Sequence, residues 1–153
     1  MRFDLTGENP ENEKGEYFGN NIWWWRPLWD YIVYASKDIL TPEDRNAGDW
    51  NDNYLITDEK AIAITDKLNE LVIKGETARY SRNYKTKMKK MPDKVCDLCK
   101  GLGKRDDQYV KGECNGCHGT GKVRPSETLY PFSIKNVKEF ITFAKNSGGF
   151  RIG

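Results

Sequence analysis

Cys96-Asp97-Leu98-Cys99-Lys100-Gly101-Leu102-Gly103 recurs as Cys114-Asn115-Gly116-Cys117-His118-Gly119-Thr120-Gly121, and these two copies of C-x-x-C-x-G-x-G hold all 4 cysteines of the 153-residue chain. A C-x-x-C turn brings two thiolates within reach of one ion. The glycines behind it let the backbone adopt positive φ, so that N–H groups turn back toward the sulfurs. Two such turns supply the four sulfurs of a tetrahedral thiolate site, with Zn–S distances of about 2.3 Å. The expectation is one structural Zn2+ held by Cys96, Cys99, Cys114 and Cys117. Between the knuckles, Lys104 to Lys111 should form the arms and tip of a zinc-stapled hairpin. That segment has almost no apolar residues, and zinc binding supplies about 10–16 kcal/mol of apparent free energy to such modules.

Two disulfides are the alternative use of the four thiols. They need an oxidising compartment, and the opening Met1-Arg2-Phe3-Asp4-Leu5-Thr6 lacks a charged-then-apolar leader. A redox C-x-x-C needs a strand-turn-helix context, and neither pair precedes an apolar helix. With four thiolates present, His118 reads as a surface residue rather than a ligand.

The cysteine stretch resembles the cysteine-rich zinc module of the DnaJ (Hsp40) co-chaperones, which is built from the same repeat. The match covers residues 96 to 124. The family carries four repeats and two zincs; two repeats here imply one zinc. No His-Pro-Asp-bearing J-domain is present, so recruitment of an Hsp70 partner does not carry over. The remainder, above all Gly15-Glu16-Tyr17-Phe18-Gly19-Asn20-Asn21-Ile22-Trp23-Trp24-Trp25-Arg26-Pro27-Leu28-Trp29, resembles a group of small proteins from bacteria and their phages. That resemblance implies a bacterial cytoplasmic setting and no particular activity.

The net charge of +2 conceals a division. Residues 1–78 carry 8 Lys/Arg against 16 Asp/Glu, a net of −8, and residues 79–153 carry 17 against 7, a net of +10. Such asymmetry fits an anionic partner for the basic half, or two halves that face each other. No apolar run approaches membrane-spanning length, so a soluble protein is expected.

Along the chain, Phe3 and Leu5 suggest a short strand, followed by a polar loop through Asn9 to Glu13. Pro27 suits the first position of a helix running to Lys37, with Leu28, Tyr31, Ile32 and Ala35 on its core stripe. Three adjacent tryptophans cannot all point one way, so at least one lies near the surface. Aromatics dominate core packing, so the indoles are read first as core; the alternative is that Trp23, Trp24, Trp25, Arg26 and Trp29 form an aromatic platform for a base or a peptide. Thr41-Pro42-Glu43-Asp44 starts a short helix ending near Gly48. Asp49, Asp52 and their asparagine neighbours lack the Gly and Glu of a calcium loop and read as solvated. Thr57 caps a helix with Ala61, Ile64, Leu68, Leu71 and Val72 inward, stopped by Gly75.

Residues 79–94 carry Arg79, Arg82, Lys85, Lys87, Lys89, Lys90 and Lys94, with Tyr80 and Tyr84 interleaved. Cations neutralise phosphates and tyrosines stack on bases, which is one reading. The other is a solubilising linker or edge strand into the zinc module. After the module, Val123 and Leu129-Tyr130 suggest a strand. Ser133 caps a last helix with Ile134, Val137, Phe140, Ile141 and Ala144 inward, ended by Asn146 to Gly149. Phe150-Arg151-Ile152 either docks as a strand or stays loose.

The parts predict an α+β fold with three amphipathic helices and short strands: a helical and aromatic region over 1–94, a zinc hairpin over 95–124 and a returning strand and helix over 125–153. A closed four-thiolate zinc activates no water, and no phosphate-binding glycine loop is present, which argues against enzymatic chemistry. The sequence favours a zinc-binding protein that contacts nucleic acid or a nucleoprotein through its basic half. A protein adaptor or inhibitor of a host factor, and sequestration of a small nucleotide by the indoles with Arg26, remain alternatives.

Overall fold

The computed structural model describes residues 1–153 and has an α+β fold. In chain order its elements are β1 (Arg2–Gly7), β2 (Tyr17–Asn21), α1 (Ile22–Ala35), α2 (Pro42–Ala47), β3 (Tyr54–Ile56), α3 (Asp58–Ile73) and α4 (Glu76–Lys90). There follow β4 (Lys94–Val95), β5 (Lys104–Asp106), β6 (Lys111–Glu113), β7 (Lys122–Val123), α5 (Ile134–Asn146) and β8 (Phe150–Ile152). The chain divides into two compact units, one of Met1–Lys85 with Tyr130–Gly153 and one of Thr86–Leu129.

The first unit is built on an antiparallel sheet of order β2-β1-β8-β3. Alternation decides its inner face. Phe3 and Leu5 of β1, Phe18 of β2, Ile56 of β3 and Phe150 and Ile152 of β8 are all buried. Opposite residues reinforce one another, Leu5 facing both Phe18 and Ile152, and Ile56 facing Phe150. The last strand of the chain thus holds a central position, so Phe150-Arg151-Ile152 docks and does not stay loose.

Helices α1, α3 and α5 contribute the apolar layer that meets this face: Leu28, Tyr31 and Ile32, then Ala61, Ile64 and Leu68, then Val137, Phe140, Phe143 and Ala144. Phe143 joins the α5 stripe beside the residues expected from spacing, of which Ile134 and Ile141 are only half-buried. Side-chain oxygens cap the helices as their sequences require. Thr57 accepts from the Lys60 N–H at 3.4 Å, and Ser133 from the Asn136 N–H at 3.1 Å. Thr41 and Asp44 close a reciprocal capping box on α2.

Helix α1 departs from expectation. It starts at Ile22, not at Pro27, because the Asn21 side chain accepts the Trp24 N–H at 3.2 Å and the Ile22 N–H is already bonded to the Met1 carbonyl at 3.0 Å. Pro27 therefore lies inside the helix and leaves the Trp23 carbonyl without its usual donor. Starting the helix earlier sorts the tryptophans: Trp25 and Trp29, four residues apart, point inward, while Trp23 and Trp24 are 42% and 38% exposed.

A second correction concerns the basic segment. Only its Lys94 lies in a strand, β4, which pairs with β7, and residues up to Lys90 form α4, a helix of 15 residues. Its inner row of Thr77, Tyr80, Ser81, Tyr84 and Met88 recurs at helical spacing, and all five are buried or half-buried. The expected strand at Leu129-Tyr130 is also absent: Ser126–Leu129 form a single 3-10 turn. The three amphipathic helices read from the sequence are α1, α3 and α5, and α4 joins them and short α2 as the fifth.

Within the second unit, β4 pairs with β7 and β5 with β6, each antiparallel. Every one of these strands is only two or three residues long, and the only fully buried cluster is the four cysteines with Val123 packed against them. Arg124 ties the end of α4 into this unit, donating to the Met88 and Met91 carbonyls, both at 2.6 Å, and to Asp93 at 2.8 Å. No helix of the chain is long and apolar enough to cross a membrane.

Candidate metal centre

The two knuckles are near-copies of one backbone turn. Lys100 and His118 have φ of 55° and 53°, Gly101 and Gly119 86° and 85°, and Gly103 and Gly121 75° and 76°. Positive φ at a residue with a Cβ costs about 1–2 kcal/mol, so the chain accepts strain at Lys100 and His118 to complete each turn. The turn aims two N–H groups at sulfur: Gly103 donates to Cys99 Sγ at 3.2 Å, and Gly121 to Cys117 Sγ at 3.2 Å. The copies are also cross-bonded, the Cys96 N–H to the Gly121 carbonyl at 2.9 Å and the Cys114 N–H to the Gly103 carbonyl at 3.0 Å.

This close approach is what fixes the final glycine of each repeat. A Cβ on Gly103 would lie 2.5 Å from the Gly119 oxygen, and one on Gly121 would lie 2.4 Å from the Gly101 oxygen. The symmetric crossing brings all four sulfurs within 4.8 Å of one another. Cys96 and Cys114 are 3.9 Å apart and Cys99 and Cys117 3.7 Å. A tetrahedron with metal–sulfur distances of about 2.3 Å has edges of about 3.8 Å, so these separations fit one ion. They are well beyond the disulfide bond length of about 2.05 Å, and the four thiols are free.

All four cysteines are buried, and the set is compatible with a structural metal ion. Burial opposes charge on Cys117, but the N–H of Gly121, the Cys99 and Cys114 sulfurs and the N–H of Gly119 outweigh it and hold the thiol down to about 6. A ligand that deprotonates readily favours binding of a cation. His118 is exposed and outside the set. Arg105, which carried no sequence signal, braces the hairpin by donating to Asp107 at 2.9 Å and to Asn115 Oδ1 at 2.8 Å.

The other sequence-derived residues fall on two elements. On α4, Arg79, Arg82, Lys85, Lys87, Lys89 and Lys90 are exposed, and only Arg79 is ion-paired, with Glu76 at 3.9 Å. Tyr80 and Tyr84 lie on the inner row, both packed against Phe132, at 4.9 Å and 5.9 Å between ring centroids. The Tyr84 hydroxyl donates to the Tyr130 carbonyl, and burial pushes it up to about 12. On α1, Trp25 and Trp29 stack on each other at 5.4 Å, and their indole N–H groups donate to the carbonyls of Gly48 at 2.7 Å and Arg45 at 2.9 Å. Arg26 faces Asp49 at 3.9 Å. No slot for a base exists between those two indoles, and the surface aromatics of α1 next to them are Trp23, which packs on Tyr130 at 4.8 Å, and Trp24.

No family model, no curated protein and no solved structure matches this chain.

Proposed function

We propose that the protein binds one structural Zn2+ through Cys96, Cys99, Cys114 and Cys117, as a DnaJ-type zinc module would, and contacts nucleic acid through the outer face of α4. Zinc is favoured over other cations by four thiolates in tetrahedral array. The observation that carries the nucleic-acid reading is the set of exposed cations on α4: Arg82, Lys85, Lys87, Lys89 and Lys90 have no carboxylate partner. Unpaired cations along one helix attract a polyanion and release its counterions on binding. The placement of Tyr80 and Tyr84 on the inner row shifts the reading from stacking by these rings to phosphate neutralisation by the cations.

The test is binding of the zinc-loaded protein to labelled oligonucleotides across a salt series. Affinity should fall steeply with salt, and Lys87→Glu, Lys89→Glu and Lys90→Glu together should weaken it and lower the log–log salt slope by about 0.7–0.9 for each phosphate no longer neutralised. An absence of binding at low salt contradicts the reading.

A second reading, docking of a partner protein, is supported by the exposed Trp23 and Trp24 beside Tyr130. It predicts that Trp23→Ala with Trp24→Ala abolishes recovery of a partner while the lysine reversals leave it unchanged.

A further inference from the structure

A cavity of about 370 Å³ opens beside the first half of α4, at the small end of the range used by ligand sites. Its lining includes Tyr34, Tyr80, Leu71, Glu76, Arg79 and Asn83, all within the first unit. The lining combines three kinds of chemistry. Tyr34 is 59% exposed, and its ring lies 5.9 Å from that of Tyr80, so the wall is aromatic. The carboxylate of Glu76 and the amide of Asn83 offer hydrogen-bond acceptors and a donor. Arg79, paired with Glu76 at 3.9 Å, adds a cation, and Arg82 and Lys85, without carboxylate partners, follow it at three-residue steps, each about 4.5 Å further along the helix axis.

A flat heteroaromatic ring with polar edges, attached to a backbone carrying regular negative charge, answers all three. We propose that this cavity receives one unstacked nucleobase of a single-stranded nucleic acid whose phosphates follow the cations of α4. The inference rests on the nucleic-acid reading of α4 and adds the form of the polymer. A charge row alone attracts a duplex at least as well as a single strand, because the duplex carries the denser charge. A cavity for an unpaired base reverses that order, since stacking on tyrosine is open only to a base that has left its helix.

The experiment compares a single strand with the duplex of the same sequence on the whole zinc-loaded protein, as wild type, Tyr34→Leu, Tyr34→Phe and Asn83→Leu. Wild type binds the single strand more tightly at equal salt. Tyr34→Leu lowers single-strand affinity by roughly tenfold and leaves duplex affinity and the salt slope unchanged, whereas Tyr34→Phe, which keeps the ring, retains binding. Asn83→Leu alters the ranking among homopolymer strands. Tyr34 and Asn83 are exposed, so all three variants fold, which a thermal melt checks. Equal or duplex-favouring affinity in wild type, or no effect of Tyr34→Leu, overturns the cavity assignment while salt dependence upholds α4. A nucleoside monophosphate that competes as well as the strand assigns the cavity to free nucleotides and likewise overturns it. No binding of any nucleic acid at low salt removes both readings.

Discussion

The Sγ atoms of Cys99 and Cys117 lie 3.7 Å apart, and each accepts an N–H from the glycine four residues further on. Those N–H···S bonds stay within each knuckle; the knuckles are joined by the Cys96 N–H to the Gly121 carbonyl and the Cys114 N–H to the Gly103 carbonyl, so neither can be displaced without disturbing its counterpart. That coupling explains why a unit with so little apolar burial has a defined structure.

Gly103→Ala should lower metal affinity by at least tenfold, because the new Cβ would meet the Gly119 oxygen at 2.5 Å at a residue whose φ is already 75°. Gly112 is the control. Its φ is also positive, at 110°, but nothing lies within 4 Å of a Cβ there, so Gly112→Ala should weaken the hairpin only modestly. Competition with a chromophoric chelator distinguishes the two; equal affinities for both variants would count against the crossed-knuckle geometry.

Chelation should act locally. Metal removal is expected to strip hydrogen-exchange protection from the Cys96, Gly103, Cys114 and Gly121 amides, while those of Phe3, Ile64 and Phe140 keep theirs, since their burial owes nothing to sulfur. Uniform loss of protection across the chain would contradict this division.

Trp25 and Trp24, adjacent in sequence, should differ sharply. Trp25 is fully buried, stacks on Phe3 at 5.4 Å and donates to the Gly48 carbonyl, so Trp25→Ala should cost about 3–5 kcal/mol. Trp24→Ala, at a side chain that keeps 38% of its surface exposed, should cost about 1–2 kcal/mol. Urea midpoints at constant m-value measure both.

Asp44 sets an acid limb to stability. Burial disfavours its charge, but the Lys60 ammonium at 2.5 Å, the Thr41 N–H and the Tyr54 hydroxyl at 2.8 Å outweigh burial and hold the carboxyl below its usual range. A carboxyl depressed in the folded state stabilises above its unfolded value of about 3.9 and loses that contribution as pH falls through the folded one. Asp44→Asn should therefore melt lower at neutral pH, with the difference narrowing in acid. Parallel melting curves from pH ~7 to ~3 would contradict the assignment.

Much of this was legible in the chain, where chemistry and spacing coincide. The four cysteines, the caps at Thr41, Thr57 and Ser133, and the buried alternation of Phe3 and Leu5 could all be read directly. Helix α4 escaped because its inner row is Thr77, Tyr80, Ser81, Tyr84 and Met88, residues that bury ring, methyl or thioether while scoring as polar or mixed. The Thr77 hydroxyl shows how: it is bonded to the buried Tyr31 hydroxyl at 2.7 Å, a partner that sequence alone does not identify. Helix α1 was misplaced by Pro27, whose preference for a first turn lost to the cap at Asn21. Strands β2 and β3 lack strong apolar alternation and owe their form to pairing with β1 and β8. The cavity at Tyr34 and Asn83 joins α1 residues to α4 residues far along the chain, a proximity that only the fold creates.

The most direct test of the metal centre is titration of the reduced apoprotein with Co2+, followed by displacement with Zn2+. One equivalent per chain with the intense visible absorption of tetrahedral thiolate coordination, bleached by one equivalent of Zn2+ and abolished by Cys117→Ser, is the predicted result. Octahedral spectra, a stoichiometry other than one, or indifference to Cys117→Ser would contradict it.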